Sequence, residues 1–304
     1  MKKKRETKDQ VERLLIESRF FNENFRGDNR ILVELICGIL RNQDGPITLR
    51  HLFYLSVSAG IIENNQREYK RIGHIATRLR EGRIVPLTAI CDNVRQSMKP
   101  SSWSGLADFG DSVRDCYRKD LWASQRKLVE FFCEKDSVAG VIQPITREYD
   151  VALHPCRGYA SVSFAGQIAA TWAATEKPIR AYYCGDFDAS GFDIERDLKE
   201  KLNRYSGGVR FEWERIAICE EDFDRENLIA LPIKKSDNRA KEFLRKHGER
   251  CAELDALPPN ELRRRVRLCI EENINPEQWE RLQLIERNEQ EAIASVIGNW
   301  REAG

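Results

Sequence analysis

The sequence predicts an α/β protein: an N-terminal, mostly helical segment followed by a parallel sheet flanked by helices. Three observations lead there. From residue 129 onward, short β-rich runs alternate with stretches of helical spacing, a βαβαβαβ order that calls for parallel strands joined by crossover helices. Before that point, apolar residues recur at helical intervals between residues 8 and 81. The charge also divides. Residues 1–125 carry 22 Lys and Arg against 16 Asp and Glu, a net +6, whereas residues 126–304 carry 28 against 33, a net −5.

In the first segment, residues 8–22 set Val11, Leu14, Leu15, Ile16 and Phe20 mostly on one face, and residues 30–41 (RILVELICGILR) form a nearly continuous apolar helix. Pro46 interrupts the chain. Thr48 is then a natural N-cap for the helix in TLRHLFYLSVSAG, with Gly60 just past the end. A further amphipathic helix covers about 66–81 and stops at Gly82, and RIVPLTAICD follows as a short extended stretch. Three helices and a small β element in about 100 residues suit a winged-helix domain. Across 67–83 six basic residues (Arg67, Lys70, Arg71, Arg78, Arg80, Arg83) face two acids. Such an excess of one sign suits contact with phosphates, although charge runs commonly form only a solvated face. Residues 99–125 lack clear periodicity and read as a linker.

In the second segment the strands are VEFFC (129–133), ALHPC (152–156), RAYYC (180–184) and FEWERIAIC (211–219). From about 220 the chain is polar and mostly helical, and a last helix after Pro276 carries an apolar seam of Trp279, Leu282, Ile285, Ala292, Val296 and Trp300. The expected organisation is 1–98, a helical domain with an N-terminal helix; 99–125, a linker; and 126–304, the sheet domain with a C-terminal helical extension.

Composition narrows the function classes. With 41% hydrophobic and 33% charged residues the chain is not a low-complexity or disordered protein. No apolar run approaches the ~20 residues of a membrane helix, and no apolar segment follows the basic start MKKKRETKDQ, so a cytoplasmic protein is expected. Nine cysteines without a CxxC, and only four histidines, argue against a zinc site of the usual spacing and for buried thiols. GxxxxGK[ST], GxSxG and HExxH are absent.

Ligands of open parallel sheets bind beyond the carboxyl ends of the strands, and two strands here end in acids. VEFFC runs into Glu134, and RAYYC runs into Gly185, Asp186, Phe187 and Asp188. The spacing of Asp186 and Asp188 puts both carboxylates on one side of an extended chain, and Glu134 can join them from a nearby strand. Three hard oxygen ligands are what Mg²⁺ takes. The competing possibility is that Asp188 or Ser190 only caps the next helix.

Glu134 and GDFDASG resemble the Toprim domain of topoisomerases, primases and certain nucleases. The fuller set EKDSVAGVI, CRGYASVSF, YYCGDFDASGFDI, KKSDNRA and AELDALPP resembles the topoisomerase VI A subunit family. That family includes the meiotic double-strand-break transesterase and short stand-alone phage and mobile-element proteins. It spans about residues 125–270 and extends into the first domain. There the family carries Arg-(Asp/Glu)-x-(Tyr/Phe)-Tyr on a winged-helix element, with the last Tyr as nucleophile. This chain has Arg50, His51, Leu52, Phe53 and Tyr54, so a histidine stands where the family has an acid.

Arg50 and Tyr54, four apart, share a helix face. A guanidinium there can hold the scissile phosphate and favour the phenolate, and His51 could accept a proton. The competing possibility for Tyr54 is an aromatic at the edge of the stripe Leu49, Leu52, Phe53 and Val57. The resemblance implies Mg²⁺-dependent cleavage of double-stranded DNA through Tyr54 with a link to a 5′ phosphate. It also implies a homodimer in which one copy's tyrosine meets the other's metal site, with any ATPase on a separate B-type subunit. By the same comparison Lys234, Lys235 and Arg239 would contact DNA backbone or form a solvated loop, and Glu253 and Asp255 would support a second cation or pair with an arginine. The alternatives are a hydrolytic Toprim nuclease, with water attacking, and a non-catalytic DNA-binding protein of a mobile element.

Overall fold

The computed structural model describes residues 17–90, 101–226, 228, 230, 231 and 240–302. Lys234, Lys235 and Arg239 lie outside them, as does most of the first expected helix. Residues 17–24 are helical. Three helices follow: α1 (Asn29–Arg41), α2 (Leu49–Ser58) and α3 (Gln66–Glu81). Thr48 caps α2 by accepting from His51 N at 3.0 Å, and Asn65 caps α3 in the same way from Glu68 N at 2.9 Å. Leu32, Val33, Ile36, Leu52, Ile72, Ile75 and Leu79 are buried between the three. The extended stretch after α3 is not a wing hairpin among the described residues. Residues Leu87–Ala89 form a 3₁₀ turn, and the only pairing there is a parallel bridge of Ile47 with Ile90. Pro86 explains part of this, since it has no N–H to donate to a ladder.

The segment expected as an irregular linker contains a helix, α4 (Leu106–Cys116). Its support is distant in sequence. Gly110 lies against Ile297, so close that a Cβ would stand 2.6 Å from the isoleucine side chain, and Lys119 pairs with Glu289 at 2.9 Å.

The second segment is β1 (Leu128–Cys133), α5 (Asp136–Glu148), β2 (Ala152–Pro155), α6 (Val162–Ala174), β3 (Ile179–Cys184), α7 (Ala189–Tyr205) and β4 (Phe211–Ala217). After these come the short α8 (Asp222–Arg225), then α9 (Ala240–His247), α10 (Pro259–Glu271) and α11 (Pro276–Glu302). All four strands are parallel, in the order β2-β1-β3-β4. Phe131, Cys133, Tyr182 and Cys184 are buried on one face, against α5, α10 and the first helices, while Phe132, Trp172, Tyr183, Leu198 and Leu202 form a second core on the other. On α11 the buried residues include Trp279 and Ile297, whereas Val296 of the expected seam is 55% exposed. No helix among the described residues is long and apolar enough to cross a membrane.

The first core is continuous from Phe21 to Trp279, so the helical segment and the sheet share buried apolar surface. Polar contacts reinforce that seam. The buried Arg263 of α10 donates to Val141 O at 3.1 Å and to Pro46 O at 2.5 Å, joining α5 to the turn before α2.

Candidate functional site

β1 and β3 are neighbours in register, with Cys133 opposite Cys184. Both therefore end at the same sheet edge, and Glu134 N donates to Cys184 O at 2.8 Å. Beyond that edge the chain after β3 turns sharply around the Glu134 carboxylate, which accepts from Asp186 N at 2.9 Å. Two glycines make this turn possible. A Cβ at position 185 would stand 2.7 Å from Glu134 Oε2, and one at position 191 would stand 2.3 Å from Asp186 O. Arg215 of β4 braces the turn from behind, donating to Gly185 O at 3.0 Å and Asp186 O at 3.1 Å. Its own position is fixed by Glu195 at 2.7 Å.

Glu134, Asp186 and Asp188 thus share one edge, with their carboxylates already in use. Asp188 caps α7, accepting from Gly191 N at 2.7 Å. Asp186 Oδ1 accepts from Leu254 N at 2.7 Å and pairs with the Lys135 ammonium at 2.9 Å. Among the described residues no group of three or more His, Cys, Asp or Glu side chains is arranged to hold a metal ion. The donor chemistry nevertheless fits one, since three carboxylates are the oxygen ligands a hard cation takes. Burial, with the charges of Asp186 and Asp188, pushes the Glu134 carboxyl up to about 7, and burial raises Asp186 as well. Clustered acids that resist ionisation are relieved by a cation.

The shift in Glu134 has a consequence for stability. A carboxyl that holds its proton more tightly when folded stabilises the protein fully below about pH 4.5, and that contribution is lost as pH rises through about 7. Without divalent ions, wild type should therefore lose on the order of 2–3 kcal/mol relative to Glu134→Gln between pH 5 and 8. Urea melts of the two proteins across that range test this, and parallel pH profiles would refute it.

The segment 251–257 closes the site. Phe187 and Ala252 pair as an antiparallel bridge, which brings Glu253 and Asp255 to the β3 edge. Lys135 sits among them, 2.9 Å from Asp255 and 3.3 Å from Glu253. Burial of Asp255 would raise its carboxyl, but Lys135, His51 and Arg50 outweigh that and hold it below the usual range.

From the other side α2 arrives. Arg50 forms an ion pair with Glu253, and Thr48 Oγ1 donates to Asp255 at 3.4 Å. Arg50, Phe53, Tyr54, Asn65, Tyr69 and Glu253 line a cavity of about 350 Å³. Tyr54 is only 5% exposed, buried more deeply than a stripe-edge aromatic would be. Burial and Glu253 raise its phenol above the ordinary value against the opposing pull of Arg50. The expected activation by Arg50 is thus outweighed here, first by burial and then by the negative charge of Glu253. His51 is not poised as a base: it is fully buried, its Nδ1 meets Thr48 Oγ1 at 2.9 Å, and burial lowers it to about 4. Its Nε2 has no hydrogen-bond partner among the described residues.

Compared with protein-family models, curated proteins and solved structures, the chain matches none.

The basic residues of α3 divide into two groups. Arg71 donates to Asn29 at 2.6 Å and Glu68 at 3.0 Å. Arg78 donates to Asn24 O at 2.9 Å and to its side chain at 2.7 Å, and it covers the Phe25 ring at 5.2 Å. Both tie α3 to the preceding helices. Lys70 is exposed and Arg80 half-buried.

Sequence reasoning overlooked Lys135 and Arg215. Lys135 had a weak signal, a cation directly after the candidate ligand Glu134. Arg215 had none, because the turn carbonyls it holds and its partner Glu195 are brought near only by the fold. A larger cavity, about 710 Å³, opens between α7 and α9 beside Phe192, Arg215 and His247, away from Tyr54.

Proposed function

We propose that this protein is a Mg²⁺-dependent DNA-cleaving enzyme that breaks a strand by transesterification through Tyr54, as the resemblance to the topoisomerase VI A family implies. One observation carries the reading. The helix bearing Arg50 and Tyr54 is joined through Glu253 and Lys135 to the strand-end carboxylate Asp186 of the same chain, whose backbone N–H donates to Glu134. A phenol, a guanidinium and an acidic cluster are the parts such a reaction needs.

In this reading Glu134, Asp186 and Asp188 would hold the ion, which supplies charge stabilisation at the phosphoryl oxygens. Arg50 leaves Glu253 for the phosphodiester, whose negative charge grows as the transition state forms, and orients it against Tyr54. The Tyr54 oxygen forms a bond to phosphorus as the P–O3′ bond breaks, and the departing 3′ oxygen takes a proton from water to become a free 3′ hydroxyl. Glu253, which lines the same cavity, is the candidate acceptor for the phenol proton. Double-stranded DNA is the substrate, a second copy the expected partner, and strand passage would require an ATPase on another chain.

Incubation with supercoiled plasmid and Mg²⁺, followed by denaturation, tests the proposal. Protein bound covalently to DNA ends is expected. Cutting without an adduct would favour the second reading, hydrolysis by water, which the burial and raised pKa of Tyr54 support.

The division of α3 gives an independent expectation. Lys70→Ala should reduce the slope of log affinity against log salt by about one and leave stability unchanged. Arg78→Ala should instead cost about 1–2 kcal/mol of stability. Fluorescence anisotropy at several salt concentrations, with melts of both variants, checks this. An unchanged slope in Lys70→Ala would remove that residue from the DNA contact.

A further inference from the structure

The cavity of about 710 Å³ between α7 and α9 is lined neither by Tyr54 nor by the strand-end carboxylates. Its volume is that of a small-molecule site. One wall is aromatic. Phe192 and His247 stack with ring centroids 4.4 Å apart, and Phe243 lies 5.1 Å from His247 and 5.7 Å from Phe192. Phe243 is buried, whereas Phe192 and His247 are half-buried and keep open surface. Burial lowers the His247 imidazole from its ordinary value, so at neutral pH it is an uncharged ring.

The rest of the lining is charged, and its acids are already in use. Glu195 pairs with Arg215 at 2.7 Å, Asp193 and Glu200 each pair with Arg196 at 2.8 Å, and Glu242 pairs with Lys246 at 2.8 Å. Two cations still have donors to give. Lys199 lies over the Trp213 ring at 5.9 Å and has no acid partner among the described residues. Arg215 Nη2 is buried without a hydrogen-bond partner among them, although Nη1 and Nε are engaged. A buried donor without an acceptor is costly. An unused guanidinium edge and an unpaired ammonium in one cavity suit anionic oxygens, and the aromatic wall suits a flat ring.

We infer that this cavity binds a planar aromatic ring joined to phosphate, the chemistry of a nucleotide, with the ring against Phe192 and His247 and the phosphate on Lys199 and Arg215. Two sources share that chemistry: a free nucleotide and the terminal nucleotide of a DNA strand. The inference stands apart from the cleavage reading and is tested without cleavage.

The full chain is titrated into the fluorescent nucleotide etheno-AMP, and anisotropy is recorded. Saturable binding is expected. Adenosine and inorganic phosphate each carry half of the required chemistry and should displace the probe about tenfold less well than AMP, or worse. Lys199→Glu should weaken binding about tenfold, and His247→Ala about fivefold or more. Melts of both variants confirm folding, and if His247→Ala fails to fold, Lys199→Glu decides alone. A single-stranded oligonucleotide with a 5′ phosphate separates the sources. Stronger displacement than by AMP identifies a strand end, and weaker displacement a free nucleotide.

A Kd weaker than about 1 mM for wild type removes the site. Binding that the folded variants leave unchanged places the nucleotide elsewhere and equally overturns the inference. Adenosine displacing the probe as well as AMP does so too, because the phosphate would then contribute nothing.

Discussion

Replacing Tyr54 by phenylalanine is expected to abolish both DNA cleavage and the covalent adduct while leaving DNA affinity intact. The ring stays, packed edge-on against Phe53 at 5.4 Å between centroids, so the α2 core should hold. What leaves is the one oxygen of that side chain that can attack phosphorus. Loss of a covalent nucleophile typically costs several orders of magnitude, and a fall of at least about a thousandfold is expected. The measurement is a plasmid assay with and without protease treatment before electrophoresis. Cutting by Tyr54→Phe at the wild-type rate would end the nucleophile assignment and leave hydrolysis as the surviving mechanism. Arg50→Ala is the informative companion. It should slow cleavage yet still permit an adduct, because the guanidinium stabilises charge and forms no bond.

The second large effect is expected from Asp186→Asn. Asp186 pairs with Lys135 and accepts from Leu254 N, and the amide keeps an oxygen for the second of these. The turn after β3 should therefore survive. Its charge disappears, and with it a ligand in the proposed ion site. Cleavage should drop by about 10²–10⁴-fold, with near-normal melting, because burial already raises the carboxyl this replaces. Rate measurements across a Mg²⁺ series, together with a melt, decide the matter. Wild-type activity at low Mg²⁺ would exclude Asp186 as a ligand, and a collapsed melt would make it a folding residue.

Local signals made much of the architecture legible. VEFFC and RAYYC are short, β-branched or aromatic, and followed by turn residues, and each became a buried parallel strand. Glu134 and Asp186 fell at one edge because adjacent strands in register must end together. Thr48 and Asp188 behave as caps because each side chain accepts from a backbone N–H three residues on, in its own helix start. What was not legible depends on residues far apart in the chain. α4 has Leu106 63% and Val113 40% exposed, so its pattern is weak, and α11, some 180 residues later, holds it in place. Lys135 and Arg50 both read as strong cations. Only the closure of residues 251–257 over the sheet edge shows that their partners are Glu253 and Asp255.

That closure has a kinetic meaning. α2 meets the carboxylates of its own chain, through Arg50 on Glu253 and Thr48 on Asp255. Such an intramolecular contact acts as though its partner were present at about millimolar concentration. A second copy offering its own Arg50 to the same glutamate, at cellular protein levels, competes at a steep disadvantage. Exchange of tyrosine helices between copies would need a third component that holds two chains together long enough to equalise that competition. DNA spanning both would do so, and the swapped arrangement would then form only on the substrate.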